Sequence, residues 1–223
     1  NLFMIDTLYF NYFELRRQKM VEKLGQMGIY SQQVLAAMAT VPRHLFVEDA
    51  LRSRAYDNVA LPIGAGQTIS QPYMVAKMSQ LLLAGDKPVR KILEIGTGCG
   101  YQTAILEALG ISEIYSLERI SKLRTLAASN LREAHLFRSR LICEDGYLGL
   151  PGKAPFDGIL LTAAPPSIPI ALLEQLENDG GRMVIPLGEK DRQYLWVIDK
   201  YRHGYQETCV EAVNFVLLKE GRQ

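Results

Sequence analysis

Cysteine is scarce in this chain, and what there is cannot build a framework. Cys99, Cys143 and Cys209 are the only three in 223 residues. They are odd in number and far apart, and no pair has metal-ligand spacing, which argues against a disulfide scaffold and a zinc site and for a reducing, cytoplasmic setting. An excess of charge of one sign is lacking too. Twenty-five Lys and Arg stand against 24 Asp and Glu, a formal charge of +1, so there is no electrostatic footprint for nucleic acid, and the cluster Arg16-Arg17-Gln18-Lys19 reads as a solvated helix face. No uninterrupted apolar run reaches the ~18 residues of a membrane span. The aromatic stretch Leu2 to Phe13 is broken by Asp6 and Asn11 and has neither a basic leader nor a small-residue cleavage pattern, so it does not read as a signal peptide. No nucleic-acid or membrane partner is expected. Internal repeats and low-complexity tracts are absent as well.

What is present suits one compact enzyme-sized unit. Hydrophobic residues make up 48% of the sequence and mean hydropathy is near zero, enough for a full core in a single domain, 1–223. Residues 1–88 form a helical preface and a glycine- and hydroxyl-rich loop. Helices are expected over Lys19 to Met27 and Ser31 to Met38, with Gly28 between them and Ser31 as a cap, and again from Tyr73 to Leu83. Residues 89–188 alternate strands with helical stretches, which means a mostly parallel, twisted α/β sheet with helices on both faces. Residues 189–223 offer two further strands, Tyr194 to Ile198 and Val210 to Leu218, joined across Arg202-His203-Gly204 and expected to pair antiparallel.

The most informative segment runs from Val89 to Tyr101: a short apolar strand ends in Glu94, opens into Gly96-Thr97-Gly98-Cys99-Gly100, and leads into a helical stretch, Gln102 to Leu109. This is a cofactor corner, in which glycines allow close backbone approach and helix N–H groups point at the ligand. A dinucleotide site wants glycine or alanine where Tyr101 stands. An acid at the strand end would repel a pyrophosphate, but would suit the ammonium or sulfonium of S-adenosylmethionine. The next strand, Glu113 to Leu117, ends in Glu118, near the ~20-residue spacing at which an acid accepts ribose hydroxyls. After a third strand, Arg140 to Cys143, Asp145 can accept from an adenine amino group. The fold expected is thus a Rossmann-like α/β sheet, and its charges favour S-adenosylmethionine as the cofactor.

The loop Ala60 to Pro72 holds Ser70, for which two readings stay open: a hydroxyl that caps the helix starting near Pro72, or one that acts on a substrate. His44, alone on an apolar stretch, reads as a packed histidine.

The segments VPRHLFV, LPIGxGQTISQP, LEIGTGCGYQ, SLER, EDGYLG, PFDGILLTAA and GGRMVIPLG, in this order from about Met20 to Leu218, resemble the protein-L-isoaspartate O-methyltransferase family, bacterial members in particular. The resemblance implies methyl transfer to the free α-carboxylate of isoaspartyl residues in damaged proteins, initiating repair through a succinimide. It also implies Ser70 as the active-site serine, with Gln67, Thr68, Glu94, Gly96, Thr97, Gly98, Glu118, Asp145 and Gly146 at the cofactor, and Leu61, Pro62, Ile63, Gly64 and Thr68 at the peptide. A monomer is expected, with a dimer through the aromatic N-terminus left open. The chain departs from the family pattern at Ala65, where histidine is usual, at Cys99 (serine), Asn214 (arginine) and Leu217 (proline). Three rivals are a base-modifying methyltransferase, a cofactor-binding module without turnover, and an NAD-dependent oxidoreductase. The first lacks its acceptor and aromatic in Thr162-Ala163-Ala164-Pro165-Pro166-Ser167; Ala65 is the only hint of the second; Tyr101 and Glu94 speak against the third.

Overall fold

The structure is a computed structural model that describes residues 2–223, with side chains from residue 7 onward. Its centre is a seven-stranded sheet. β3 (Lys91–Ile95), β4 (Glu113–Glu118), β5 (Arg140–Cys143), β6 (Gly158–Leu161) and β7 (Gly181–Glu189) are joined parallel, and β8 (Arg192–Tyr201) and β9 (Gly204–Val213) continue it antiparallel in the order β5-β4-β3-β6-β7-β8-β9. The inner strands are apolar on both sides because both faces are covered. Ile92, Ile114, Leu160 and Val184 pack under α3 (Pro72–Leu83), α4 (Tyr101–Ala108) and α5 (Ser121–Glu133), while Leu93, Ile95, Leu161 and Ile185 face α6 (Ile170–Gln175). The chain first moves outward from β3 to β4 and β5, then returns to β6 on β3's other side. The strand ends at that reversal form the crevice in which sheets of this kind bind ligands.

Three elements differ from expectation. The first helix, α1, is longer than Lys19 to Met27 and spans Leu2–Gln26, with Phe13, Met20 and Leu24 buried at helical intervals. Its basic cluster is not all solvated. Arg17 is buried, with Nε donating to Ala39 O (2.7 Å), Nη1 to the Tyr56 hydroxyl (3.1 Å) and Nη2 to Glu14 (2.6 Å). The helix α2 (Gln32–Thr40) follows as expected, with Ser31 Oγ accepting from Val34 N.

The glycine- and hydroxyl-rich loop is in fact a hairpin, β1 (Leu61–Gly64) against β2 (Gln67–Ile69). Such short strands carry no readable period. Its turn is left-handed at Gly64, Ala65 and Gly66, with φ of 90°, 53° and 69°, a conformation that only Ala65 pays for sterically.

The last strand ends at Val213 rather than Leu218. There the side chain of Gln193 replaces the ladder: its Nε2 donates to Phe215 O (3.0 Å) and its Oε1 accepts from Phe215 N (2.7 Å). Ala164 then takes over, its N–H donating to Val216 O and its carbonyl accepting from Leu218 N, both at 2.8 Å. Residues 214–218 are thereby drawn off the sheet and across the strand ends.

Candidate active site

At the end of β3 the chain turns through Gly96, Gly98 and Gly100, whose φ values are 97°, 56° and 91°. Leu117 O accepts from Gly96 N (2.8 Å) and Thr97 N (3.2 Å), tying the turn to β4. A Cβ on Gly96 would overlap Thr162 Oγ1, so this corner admits glycine only. Asn130 Nδ2 donates to Cys99 O (3.0 Å) and fixes the other side of the loop. α4 then starts at Tyr101 behind Gly100, and no side chain caps its first N–H groups. Tyr101 and Gln102 at this helix start line a cleft together with Gly96, Thr97, Gly98, Glu118, Gly146 and Thr162.

Glu118 is the acid that reaches this cleft. Its carboxylate accepts from Gly98 N (2.9 Å) and Ile120 N (3.0 Å), which holds both oxygens at the cleft wall with lone pairs to spare for hydroxyl donors.

Glu94 and Asp145 are not among the residues that line the cleft, and both are held by partners within the protein. Glu94 is fully buried on the helix side of β3, where Oε1 accepts from Thr103 Oγ1 and Ser116 Oγ at 2.5 Å each and Oε2 has no partner. Successive strand residues point to opposite faces; Ile95 takes the cleft side. Glu94 touches the loop only through Ser116, whose hydroxyl also meets Thr97 Oγ1 (2.6 Å). Asp145 caps a short turn, Oδ1 accepting from Tyr147 N (2.9 Å), and Oδ2 accepts from Gly221 N (2.8 Å) in the C-terminal segment.

Burial pushes the Glu94 carboxyl up to about 7, the two hydroxyl donors opposing the shift and Glu118 adding to it. A carboxyl raised in the folded state favours folding when protonated and costs stability as pH rises from the unfolded value towards the folded one. Glu94→Gln, which cannot ionise, should therefore gain melting temperature relative to the parent between about pH 4.5 and 7. The difference should be flat above that window. Melting curves of both proteins across this range check it.

A second groove adjoins the cleft, bounded by Ala60, Gln71 and Met74 on one side and residues 211–216 on the other. Thr68, Ser70, Thr162 and Val216 line both cavities; Thr162 Oγ1 donates to Gly96 O (2.5 Å) and so ties this wall to the glycine loop. The capping reading of Ser70 is not what the structure has: α3 starts behind Gln71 without a side-chain cap from it, and Asn58 Oδ1 accepts from Tyr73 N (3.0 Å) instead. Of the residues expected at the peptide, Ile63 packs over Gly98, and Leu61, Pro62 and Gly64 shape the hairpin without lining the groove. Gln67 lines the cofactor cleft.

His44 is a packed histidine, stacked on Phe13 with ring centroids 4.1 Å apart and bonded through Nδ1 to the Tyr56 hydroxyl (2.9 Å). Burial, then Arg17 and Arg52, lowers it to about 4. The sequence reading missed Gln102, Thr162, Ile120 and the segment 216–219, all of which line the cleft. For the last of these the segment's apparent strand character hid its role.

The cradle fits a nucleoside with a charged tail: an acid for ribose hydroxyls, backbone donors at the helix start, and apolar walls from Ile95, Leu117 and Leu217. Fold and cleft together define an S-adenosylmethionine-dependent methyltransferase. The sequence profile of the protein-L-isoaspartate(D-aspartate) O-methyltransferases matches residues 15–223. The chain belongs to that family. A Protein-L-isoaspartate O-methyltransferase from Chromobacterium violaceum is 53% identical over 209 residues, covering 94% of this chain and 92% of its own. A second from Nitrosospira multiformis is 55% identical, covering 92% and 95%. A Plasmodium falciparum structure described under the same activity, in complex with S-adenosyl-L-homocysteine, superimposes with a TM-score of 0.79 at 25% identity, covering 91% and 98%.

Proposed function

We propose that this chain transfers a methyl group from S-adenosylmethionine to the free α-carboxylate of L-isoaspartyl residues in damaged proteins and peptides, as a cytoplasmic monomer. The observation that carries the reading is the shared wall of the two cavities, which the hydroxyl-bearing residues Thr68 and Ser70 both line. Gly96, Thr97, Gly98, Gln67, Glu118 and Gly146 would hold the cofactor, and the groove beside β9 the peptide. One chain supplies both cavities, which supports the monomer. Its three cysteines, all free, suit a reducing compartment.

An α-carboxylate ionises near ~4, so it is already a nucleophile at neutral pH and needs no base. His44, half-buried and lining neither cavity, is accordingly not required. Bound S-adenosylmethionine supplies the methyl carbon: an O–CH3 bond forms as the S–CH3 bond breaks, and the carboxylate's negative charge cancels the sulfonium's positive one. The protein's part is alignment, and a well-oriented pair can draw ~7–11 kcal/mol of the barrier from proximity alone. Ser70 and Thr68 orient the carboxylate by donating hydrogen bonds, while the hairpin and residues 216–219 keep water from the meeting point. In the resulting ester methanol can leave where oxide could not, so the next peptide nitrogen attacks the ester carbonyl, the C–N bond of a succinimide forms, and methanol departs with the nitrogen's proton.

Mass spectrometry of an isoaspartyl peptide incubated with the protein and S-adenosylmethionine tests this. The expected product gains one methyl and then loses methanol at neutral pH. A methylated peptide that keeps its methyl under those conditions, as an amine product would, contradicts the reading.

A further inference from the structure

The groove next to the cofactor cleft is almost without charge. Among the described residues that line it, Glu211 is the only acid or base, and its neighbours there include Met74, Val213, Asn214 and Phe215. Glu211 stands on β9 opposite Leu195, just past the bulge at Val210, on a strand whose other edge pairs with no strand. The side chain is half-buried, and no Lys, Arg or His lies within ion-pair distance of it among the described residues. Its one hydrogen bond within the protein comes from the Tyr73 hydroxyl to Oε1 (3.1 Å). That phenol is itself held in its protonated, donating form by partial burial and by the carboxylate. Oε2 is left for whatever occupies the groove.

We propose that Glu211 selects the charge of the residue flanking the isoaspartyl group, favouring substrates with a neighbouring Lys or Arg and disfavouring those with Asp or Glu. The inference rests on the groove being the peptide site, as proposed above. A carboxylate facing a mainly neutral wall, with no cation to offset it, attracts a basic flank and repels an acidic one. Partial solvent exposure keeps the effect to several-fold rather than orders of magnitude. Glu211 would act on binding and not on the methyl-transfer step, since it lines the groove but not the cofactor cleft.

The test uses isoaspartyl peptides identical except at one flank, carrying Lys, Gln or Glu first after and then before the isoaspartyl residue. Initial rates should rank Lys over Gln over Glu at one of these flanks, with about a 3- to 10-fold span in kcat/KM that lies in KM and shrinks with added salt. Glu211→Gln should flatten the ranking and Glu211→Lys should invert it. Both variants should keep the parent's kcat on the Gln peptide and its affinity for S-adenosylhomocysteine. No ranking in the parent, or the same ranking in Glu211→Gln, overturns the inference while methylation of the Gln peptide leaves the functional reading standing. No methylation of any isoaspartyl peptide by the parent removes both.

Discussion

Glu118→Ala should weaken binding of S-adenosylhomocysteine by about 10- to 100-fold, the effect of losing ~1.5–3 kcal/mol of hydrogen bonding to a charged acceptor. Glu118 is the acid at the cleft wall, and two backbone donors, Gly98 N and Ile120 N, already fix its orientation. Its preorganised oxygens can therefore accept ribose hydroxyls at little entropic cost. The alanine variant also frees those two N–H groups, so part of the loss would come from a looser glycine loop. Glu118→Gln grades the effect: one carbonyl oxygen remains to accept from either Gly98 N or Ile120 N, while the charge and the second acceptor are gone. Calorimetric titration of parent and both variants decides the matter, and unchanged affinity in the alanine variant would remove Glu118 from the cofactor site.

Ser70→Ala is expected to slow methyl transfer by ~10- to 100-fold, roughly the loss of one charge-assisted hydrogen bond in the transition state. The melting temperature should barely move, because Ser70 caps nothing. The helix start it could have capped is served by Asn58, whose side chain accepts from Tyr73 N. Asn58→Ala is thus the matched opposite: a loss of ~1 kcal/mol of stability from the missing cap, with near-parental turnover at a temperature where the variant is folded. Rates and melting curves on both variants test the division of labour. A Ser70→Ala protein that is destabilised yet fully active would assign the residue to structure.

The cofactor corner is readable from sequence because its determinants are local. An apolar strand, glycines at required left-handed positions and a helix start follow one another from Lys91 to Ala108, and Glu118 ends the very next strand. Placement at a strand end gives a residue's depth but not its face. Glu94 has the depth and the charge for the ligand, but alternation with the cleft-lining Ile95 puts its side chain beneath the loop among Thr103 and Ser116. Asp145 has a partner that no local pattern discloses: Gly221, 76 residues away, donates its N–H to Oδ2. The hairpin of residues 61–69 has strands too short for periodicity. The departure of residues 214–218 from β9 depends on one glutamine side chain, Gln193, imitating a strand. Long-range contacts of this kind decide the substrate side of the site, while the cofactor side is written in consecutive residues.

The central claim is that the meeting point of the two cavities presents a carboxylate to a methyl donor, and does so for the isoaspartyl geometry. One measurement addresses it directly: transfer of labelled methyl from S-adenosylmethionine to a peptide made in two forms that differ only in isoaspartyl or normal aspartyl linkage. The extra methylene in the isoaspartyl backbone moves the free carboxylate, and only one form can align with the donor. Base-labile label should accumulate on the isoaspartyl peptide and stay at background on the aspartyl one. Equal labelling of the two forms would contradict the account.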